Sequence, residues 1–332
     1  MKKSVKLSFS ILALLLAGAL VAAVLLDWVP ADSPTAEETA IEVPYPETTA
    51  LLAQVAGQEE TDEMLLAELA SGYYTPDDPL VVVNPYDISP LTALILFQTE
   101  DACRVSIHIP GADAQTSLDY TFDGYTTDHI IPVYGLYADT ENQVTLTLTP
   151  KNGAAATVTV PVETEALTSR YDFLHIITSM EQPDEYEAGF NISYESVLFL
   201  GGIAAFDADG VPRWHLAIPD ASFYVQNYHY HNHYLIGVDY GKKQRYLLEC
   251  DPLGRIYQIT ATYDSSFHHD VTVYTDHTVL IPHNSINQPT IEDTIVELDL
   301  STGEVTHVMD LRDVLQSTRG ISNASNDVFH LN

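Results

Sequence analysis

The segment AFDADG at residues 205–210 decides the predicted fold, because related segments follow it along the chain. The second copy is ECDPLG at residues 249–254, and the third is ELDLSTG at residues 297–303. An upstream pair, His233 and His277, repeats with the same spacing as the first two copies. Each copy is typical of a strand, a tight turn and a second strand. Four antiparallel strands in roughly 40–50 residues is the period of a propeller blade. Residues 166–332 are therefore predicted to form a partial β-propeller of about three to four blades.

Strand patterns also fill the region before the repeat. The clearest is VTLTLTPKNGAAATVTVPV at residues 144–162, where apolar residues alternate with threonines on both sides of Asn152-Gly153. Such alternation gives one buried and one polar face, and Asn-Gly favours a tight hairpin turn. Further short strands are predicted at residues 81–83, 91–97 and 104–109. Together they predict a small β-sandwich over residues 79–165.

An uncharged apolar run covers residues 7–26 and follows Lys2, Lys3 and Lys6. Twenty helical residues span roughly 30 Å, the thickness of a bilayer core, and the preceding positive charges favour a cytoplasmic N-terminus. Residues 1–26 are therefore expected to be a signal anchor or a cleaved signal peptide. In the first case the remainder is extracellular and anchored to the cell membrane, and in the second it is secreted or periplasmic.

The next segment, residues 27–78, is rich in proline and acidic residues and is predicted to be a solvated acidic spacer. Within it, residues 47–69 carry leucine, valine and methionine at helical spacing. This spacing predicts one or two short amphipathic helices.

The charge balance excludes one class of partner. The chain has 47 acidic residues against 13 lysines and arginines, a formal net charge of −34. Nucleic-acid binding needs patches of lysine and arginine that neutralise phosphates, so no nucleic-acid partner is expected. The two cysteines, Cys103 and Cys250, lie in different predicted domains, and no disulfide between them is expected.

The segment Phe267-His268-His269-Asp270 is the strongest candidate for chemistry. Neighbouring side chains of an extended segment point to opposite faces, so only one of the two histidines can face a given pocket. Histidine titrates near neutral pH and can act as nucleophile, acid or base. By itself, however, such a motif is more often a strand end with one packed and one solvated histidine.

Other polar residues favour structural interpretations. His229, His231 and His233 alternate and could bind a metal from one strand face, but the repeat places His233 at a turn, so no metal site is predicted. The aspartates of the repeat could suggest calcium. An aspartate that begins a tight turn usually bonds its own backbone instead. Surface or packing positions are predicted for His215, His283 and His307.

Several motifs together resemble those of the bacterial arylsulfate sulfotransferase family, whose exported members use no nucleotide sulfate donor. The motifs are NPY (84–86), SPLTAL (89–94), IPVYGLY (131–137), NQV (142–144), HDV (269–271), IEDTIVELD (291–299), TGEV (302–305), MDL (309–311) and FHLN (329–332). The last resembles the family's Asp-Trp-Phe-His-x-Asn motif: Asp327 is present, but Val328 stands where tryptophan is usual. The resemblance implies an immunoglobulin-like sandwich at residues 79–165, followed by the incomplete propeller.

The resemblance also implies a function. Members move a sulfuryl group from a phenolic sulfate ester donor to a phenol acceptor through a sulfated histidine, without a cofactor, and they can be homodimers. His269 and His330 match two histidines that line the active site and would contact the sulfuryl oxygens or the phenolate. His268 and Asn332 are further substrate-binding candidates. The family's nucleophilic histidine and its key arginine normally follow the motif at His330, so a C-terminally truncated form of the enzyme is expected.

Two other functions remain open from the sequence. The chain could be a non-catalytic extracellular binding module or an inactive remnant of the enzyme. A quinone-dependent dehydrogenase propeller is less favoured, because there is no cofactor motif and the only tryptophans are Trp28 and Trp214.

Overall fold

The structure is a computed structural model of the chain. It describes residues 49–167, 191–195, 202–216, 218, 222–230, 233–239, 245–261, 266–267, 270–284 and 293–315. Strands dominate these residues, so the predicted all-β class is confirmed. Within the same ranges no helix is long and apolar enough to cross a membrane. The predicted anchor, residues 1–26, lies outside them.

One curled, six-stranded antiparallel sheet forms the first part of the fold. Its long strand β2 covers residues that the sequence divides into two strands, and its two halves have different neighbours. The first half lies between β1 and β4, and the second half lies between β3 and β5, with an irregularity between Gln98 and Cys103. The strands are β1 (Leu80–Val83), β2 (Thr92–Ile109), β3 (Leu118–Thr121), β4 (Thr126–Tyr134), β5 (Thr140–Pro150) and β6 (Ala156–Thr164).

The two halves of this sheet enclose one apolar core. Residues Ile95 and Phe97 from the first half of β2 share it with Val105 and Ile107 from the second half. The predicted hairpin of β5 and β6 is confirmed, with Val144 opposite Val160. Its connection is the loop of residues 151–155, which is longer than a two-residue turn.

Helix α1 (Thr49–Ala70) is a single helix of 22 residues. Its buried residues are separated by three, four or seven positions and therefore lie on one face of the helix: Leu51, Val55, Gln58, Leu65 and Leu69. The helical spacing predicted within residues 47–69 is confirmed, as one helix. The prediction of a solvated spacer is wrong for residues 49–70, because one face of this helix is buried. The polar middle of the helix, which interrupts the apolar spacing in the sequence, is part of the buried face.

The helix joins two cores. Leu65 and Leu69 pack with Leu94 and Leu96 on the outer face of β2, whereas Leu51 and Val55 belong to a core built from the sheets of the repeat. Since β2 is covered by the helix on one face and by the sheet core on the other, residues 91–97 form an almost continuous apolar run.

Among the residues described after position 167, the repeat forms three antiparallel sheets. Their strand orders are β7-β8-β9, β10-β11-β12-β13 and β14-β16-β17-β18, and β15 also pairs with β16 in the last of them. The strands are β7 (Asn191–Glu195), β8 (Gly202–Phe206), β9 (Pro212–Leu216), β10 (Ser222–Tyr230), β11 (His233–Asp239), β12 (Arg245–Cys250), β13 (Ile256–Ala261), β14 (Ser266–Phe267), β15 (Thr272–Val273), β16 (Thr278–Asn284), β17 (Thr294–Asp299) and β18 (Val305–Asp310). A short helix, α2 (Leu311–Leu315), follows β18.

The repeated Asp-to-Gly segments are the turns of equivalent hairpins in these sheets. In each turn the glycine N–H donates to the aspartate C=O, at 2.8–3.0 Å. Each aspartate Oδ1 also accepts from one or two backbone N–H groups in its turn or directly after it. The prediction that the aspartates stabilise their own turns is confirmed. The three turns are Asp207–Gly210, Asp251–Gly254 and Asp299–Gly303.

The first repeat sheet is joined to the curled sheet by Arg213 of β9, which is completely buried. Its Nη1 donates to Asp207 Oδ2 at 3.1 Å and to the Thr116 C=O at 2.8 Å, and its Nε donates to the Gly135 C=O at 2.8 Å. The guanidinium also lies over the Tyr137 ring, 3.8 Å from its centroid. One side chain therefore links the first repeat turn to two segments of the curled sheet.

Helix α1 is joined to the second repeat sheet by polar contacts. The Gln58 amide donates to the Ile256 C=O at 2.6 Å and accepts from the Ile256 N–H at 2.9 Å. One turn further along, Asp62 Oδ2 accepts from Arg255 Nε and Nη2, at 2.9 and 2.7 Å, and Asp62 Oδ1 accepts from the Tyr86 hydroxyl at 2.7 Å. These contacts explain why polar residues interrupt the apolar stripe of the helix.

Candidate functional site

The candidate site lies on the third repeat sheet, at the gap between β14 and β15. His268 and His269 fall in this gap but lie outside the described residues, as do His330 and Asn332. Their predicted roles stay predictions. Both neighbouring strands pair with β16: Phe267 lies opposite His283, and Thr272 lies opposite Leu280. The described strands on either side of the predicted histidine motif therefore pair with different parts of β16.

His283 is the polar residue of β16 beside this gap. It is only 6 % exposed, and it alternates with the buried residues Val279 and Ile281. Its ring centroid lies 5.8 Å from that of Phe267 and 5.8 Å from that of His307, which is itself exposed. The packing position predicted for His283 is confirmed, but the residue also has a polar partner on the next strand.

That partner is Thr294, the first residue of β17 and the cross-strand neighbour of His283. The Thr294 hydroxyl donates to the His283 C=O at 2.9 Å, and His283 Nδ1 lies 3.0 Å from the same hydroxyl oxygen. Thr294 is almost completely buried. A buried threonine therefore bonds both the backbone and the ring of His283.

Asp293, the residue before Thr294, forms an ion pair with an arginine. Asp293 is completely buried, and its Oδ2 lies 3.3 Å from Nε of Arg312 in α2. Arg312 also forms a forked ion pair with Asp310, and the Leu311 N–H donates to the Asp293 C=O at 2.8 Å. The dipeptide Asp293-Thr294 therefore contacts both β16 and the segment that follows β18.

Arg312 is already neutralised by carboxylates. The hydrogen bond to Asp310, together with the charges of Asp293 and Asp310, raises the pKa of Arg312, and the same hydrogen bond lowers the pKa of Asp310. A guanidinium with two carboxylate partners has little attraction left for an external anion. Arg312 is thus better suited to fixing α2 than to binding a sulfuryl group.

His233, in the second repeat sheet, lies at a hairpin, as the repeat predicts. His233 begins β11 at the hairpin opposite Tyr230, where its Nδ1 lies 2.7 Å from Glu249 Oε1 and its ring stacks on Tyr257 at 4.1 Å. Among the described residues, no three histidine, cysteine, aspartate or glutamate side chains are placed to hold a metal ion. Side-chain positions of His229 and His231 lie outside the description.

The sequence reasoning missed the pairing of His283 with Thr294. The available signal was the alternation in TVLIPHN, residues 278–284, which places the histidine on the same face as two buried aliphatic residues. The reasoning also missed Asp293 as a buried carboxylate, although Glu292-Asp293-Thr294 belongs to a motif that carries the family resemblance.

Comparisons with known proteins address the family directly. Residues 80–165 match the family model described as the arylsulfotransferase Ig-like domain, and residues 176–330 match the model described as arylsulfotransferase (ASST). The second match includes His268, His269 and His330.

Among curated proteins, the arylsulfate sulfotransferase AssT of Lelliottia amnigena is 28 % identical over 145 residues. This match covers 41 % of the chain but only 23 % of that relative. Among solved structures, a protein of unknown function from Bacteroides caccae aligns over 63 % of this chain and 58 % of its own, with 9 % identity and a TM-score of 0.26. The two family models match the chain in the order in which the curled sheet and the repeat occur, and the chain belongs to the arylsulfotransferase family.

Proposed function

We propose that the chain belongs to an aryl sulfotransferase that moves a sulfuryl group from a phenolic sulfate ester to a phenol acceptor. The observation that carries the proposal is the arylsulfotransferase match over residues 176–330. That segment contains the adjacent histidines at the gap between β14 and β15. We further propose that the three repeat sheets are consecutive blades of a β-propeller, since they share the repeat spacing and the Asp-to-Gly turn.

The proposed reaction has two half-reactions. In the first, a histidine nitrogen attacks sulfur, the N–S bond forms, the S–O bond to the aryl group breaks, and the departing phenolate takes up a proton. In the second, the acceptor phenol gives its proton to a base, its oxygen attacks sulfur, and the N–S bond breaks. The nucleophilic histidine is not assigned to a residue of this chain.

Supporting roles are proposed for His269 and His330, which would contact the sulfuryl oxygens or protonate the leaving phenolate. Charge spreads over the sulfuryl oxygens and the phenolate oxygen in the transition state, so fixed N–H donors stabilise it. His268 and Asn332 are proposed to contact the substrate. A histidine-lined site suits a chain with only 13 lysines and arginines, because imidazoles can replace them as donors to an anion.

Export is proposed from the apolar run at residues 7–26 and the lysines before it. Extraction of bacterial membranes with alkaline carbonate separates the two forms. An anchored protein stays with the membrane pellet, and a cleaved one is found in the soluble exported fraction with a new N-terminus. Recovery of the protein in the cytoplasm would exclude both.

The decisive experiment measures release of 4-nitrophenolate from 4-nitrophenyl sulfate by the product of the complete gene, with and without phenol. Release that depends on phenol, with formation of phenyl sulfate, is expected. Alanine at His269 or His330 should lower kcat by about 10²- to 10³-fold, the usual effect of removing one donor to a developing charge. His108→Ala is a suitable control, because His108 is a half-buried residue of β2 whose Nδ1 lies 2.9 Å from Asp119 Oδ1.

Other outcomes would contradict the proposal in different ways. Release of 4-nitrophenolate at the same rate with and without phenol would indicate a hydrolase. Binding of 4-nitrophenyl sulfate without any release would favour the alternative of a non-catalytic binding module. Neither binding nor release would favour an inactive remnant of the family.

A further inference from the structure

The dipeptide Asn152-Gly153 lies in the loop that joins β5 to β6, and the proposed function gives it no role. It is the only Asn-Gly dipeptide in the chain. Residues 151–155, which form the loop, are all exposed. A tight turn at Asn152-Gly153 would have placed the dipeptide directly between paired residues, but the last cross-strand pair before the loop joins Leu148 to Ala156. The dipeptide therefore lies outside the paired part of the hairpin.

Two groups of this loop can react with each other, and neither is held by a hydrogen bond. Among the described residues, the Asn152 side-chain amide has no hydrogen-bond partner, and the Gly153 N–H has none. In a helix or a sheet, by contrast, the backbone N–H is occupied by its own hydrogen bond. Gly153 also has no Cβ, and its φ is +123°, a value that other residues rarely adopt. The Gly153 nitrogen can therefore approach Cγ of Asn152 without breaking a bond or meeting a side chain of its own residue.

We propose that Asn152 is a site of spontaneous covalent modification, where the side-chain amide is converted to aspartate and isoaspartate. The Gly153 nitrogen attacks Cγ of Asn152, and the new N–C bond closes a succinimide ring. The Cγ–Nδ2 bond breaks, and Nδ2 leaves as ammonia with the proton of the glycine nitrogen. Water then opens the ring. Cleavage of the bond between the nitrogen and Cγ gives aspartate, whereas cleavage of the bond between the nitrogen and the backbone carbonyl carbon gives isoaspartate.

The modification places a negative charge beside two cations. Lys151 Nζ lies 5.3 Å from the centroid of the Tyr125 ring, and Arg104 Cζ lies 5.6 Å from the same centroid. Both cationic residues are exposed, and within the described part of the chain neither forms an ion pair with a carboxylate. A new carboxylate at position 152 competes with Tyr125 for them, because exposed ion pairs and exposed cation–π contacts have similar strengths. Isoaspartate also adds one carbon atom to the main chain of the loop.

Mass spectrometry follows the reaction in the folded protein. The full chain is kept at physiological temperature at pH 7 and at pH 8, and its tryptic peptides are measured over time. The peptide that contains Asn152 should gain about one dalton, because an amide becomes a carboxyl group, and an isoaspartyl methyltransferase should methylate part of it. Conversion should be up to about tenfold faster at pH 8, because the attacking nitrogen must lose its proton. An Asn152 peptide of unchanged mass, at a time when the unfolded chain is converted, would overturn the inference.

Comparison with the chain unfolded in urea tests the structural reasoning. An exposed loop without hydrogen bonds gives little protection, so Asn152 should convert in the folded protein within about threefold of its rate in urea. Asn142 is the internal control. It is buried, and its Nδ2 donates to the C=O groups of Tyr137 and Val162, so it should stay intact in the folded protein. Protection of Asn152 by more than about tenfold would contradict its free position in the loop.

Two variants identify the residue and the charge. Asn152→Gln should lower the rate of ammonia release from the folded protein at least about tenfold, because the longer side chain must close a larger ring. An unchanged rate would assign the reaction to another residue and would overturn the inference. On an anion-exchange column, the converted protein should elute later than fresh protein and together with Asn152→Asp, which carries the same added charge. Elution of the converted protein with fresh protein would contradict the formation of a carboxylate.

Discussion

Replacing Arg213 with methionine should be among the most destabilising single changes in the described part of the chain. The substitution removes the ion pair with Asp207, two hydrogen bonds to the C=O groups of Thr116 and Gly135, and the contact with the Tyr137 ring. Methionine fills most of the volume, so the effect reports on polar contacts more than on a cavity. The Asp207 carboxylate would remain almost completely buried.

The expected magnitude comes from the buried charge. Breaking a buried ion pair by removing one partner costs about 3–5 kcal/mol, because the remaining charge is buried without compensation. Each C=O group left without a donor adds roughly 1 kcal/mol or more, although such contributions are not additive. We therefore expect a loss of about 4 kcal/mol, a large part of the roughly 5–15 kcal/mol that stabilises a typical protein.

Urea unfolding followed by circular dichroism measures the loss of stability in Arg213→Met. A double-mutant cycle with Asp207 measures how much of that loss comes from the ion pair. Asp207→Asn removes the charge but keeps Oδ1, which accepts from the backbone of the turn. The double variant should therefore be at least about 1 kcal/mol more stable than the sum of the single effects predicts. Arg104→Met, at an exposed arginine of β2, should cost less than about 0.5 kcal/mol. A loss below about 1 kcal/mol for Arg213→Met, or full additivity, would refute the reasoning.

Three other predictions concern single positions. Gly254→Ala should lower the free energy of unfolding by about 3 kcal/mol, because the added Cβ would lie 2.5 Å from Ile88 Cγ1 and φ is +94°. In the same urea assay, Gly303→Ala should lower it by only about 1 kcal/mol, because the nearest atom to the added Cβ is 3.6 Å away. Burial lowers the pKa of His215 to about 3. As the pH falls below about 6.5, His215 takes up a proton in the unfolded chain but stays neutral in the native protein. The free energy of unfolding should therefore be about 3 kcal/mol lower at pH 4 than above pH 6.5. His215→Gln should flatten that dependence of the unfolding free energy on pH, and an unchanged profile would argue against a neutral, buried His215. Burial also raises the pKa of the Cys250 thiol, so Cys250 should react with a thiol reagent only after unfolding, and rapid labelling of the native protein would contradict its buried position.

Local patterns were sufficient for much of the fold. Alternation predicted β5 and β6, and the spacing of the repeat predicted hairpins whose aspartates bond their own turns. Both signals depend on residues close together in the sequence. The same holds for β1, which was read from three consecutive valines.

Contacts between distant segments explain most of the errors. The polar residues Gln58 and Asp62 indicated a solvated middle of α1. Their partners, Ile256 and Arg255, lie far along the chain, so no local pattern shows that these residues are buried. Strand β2 was divided in two, since an exposed polar segment interrupts its apolar pattern although the strand continues through it. His283 was assigned to a surface or packing position, and its polar partner Thr294 was missed because it lies on the next strand.

The amide of Gln58 has a consequence for aggregation. Among the described strands, β13 is the last of its sheet. The outer N–H and C=O groups of such a strand can pair with a strand from another molecule. Gln58 occupies both groups of Ile256, and the Leu300 C=O, in the turn of the next hairpin, accepts from the side chains of Gln258 and Thr260 further along β13. Helix α1 and the neighbouring turn thus cover the edge of β13. Loss of α1 by proteolysis would expose part of this edge and would favour intermolecular strand pairing.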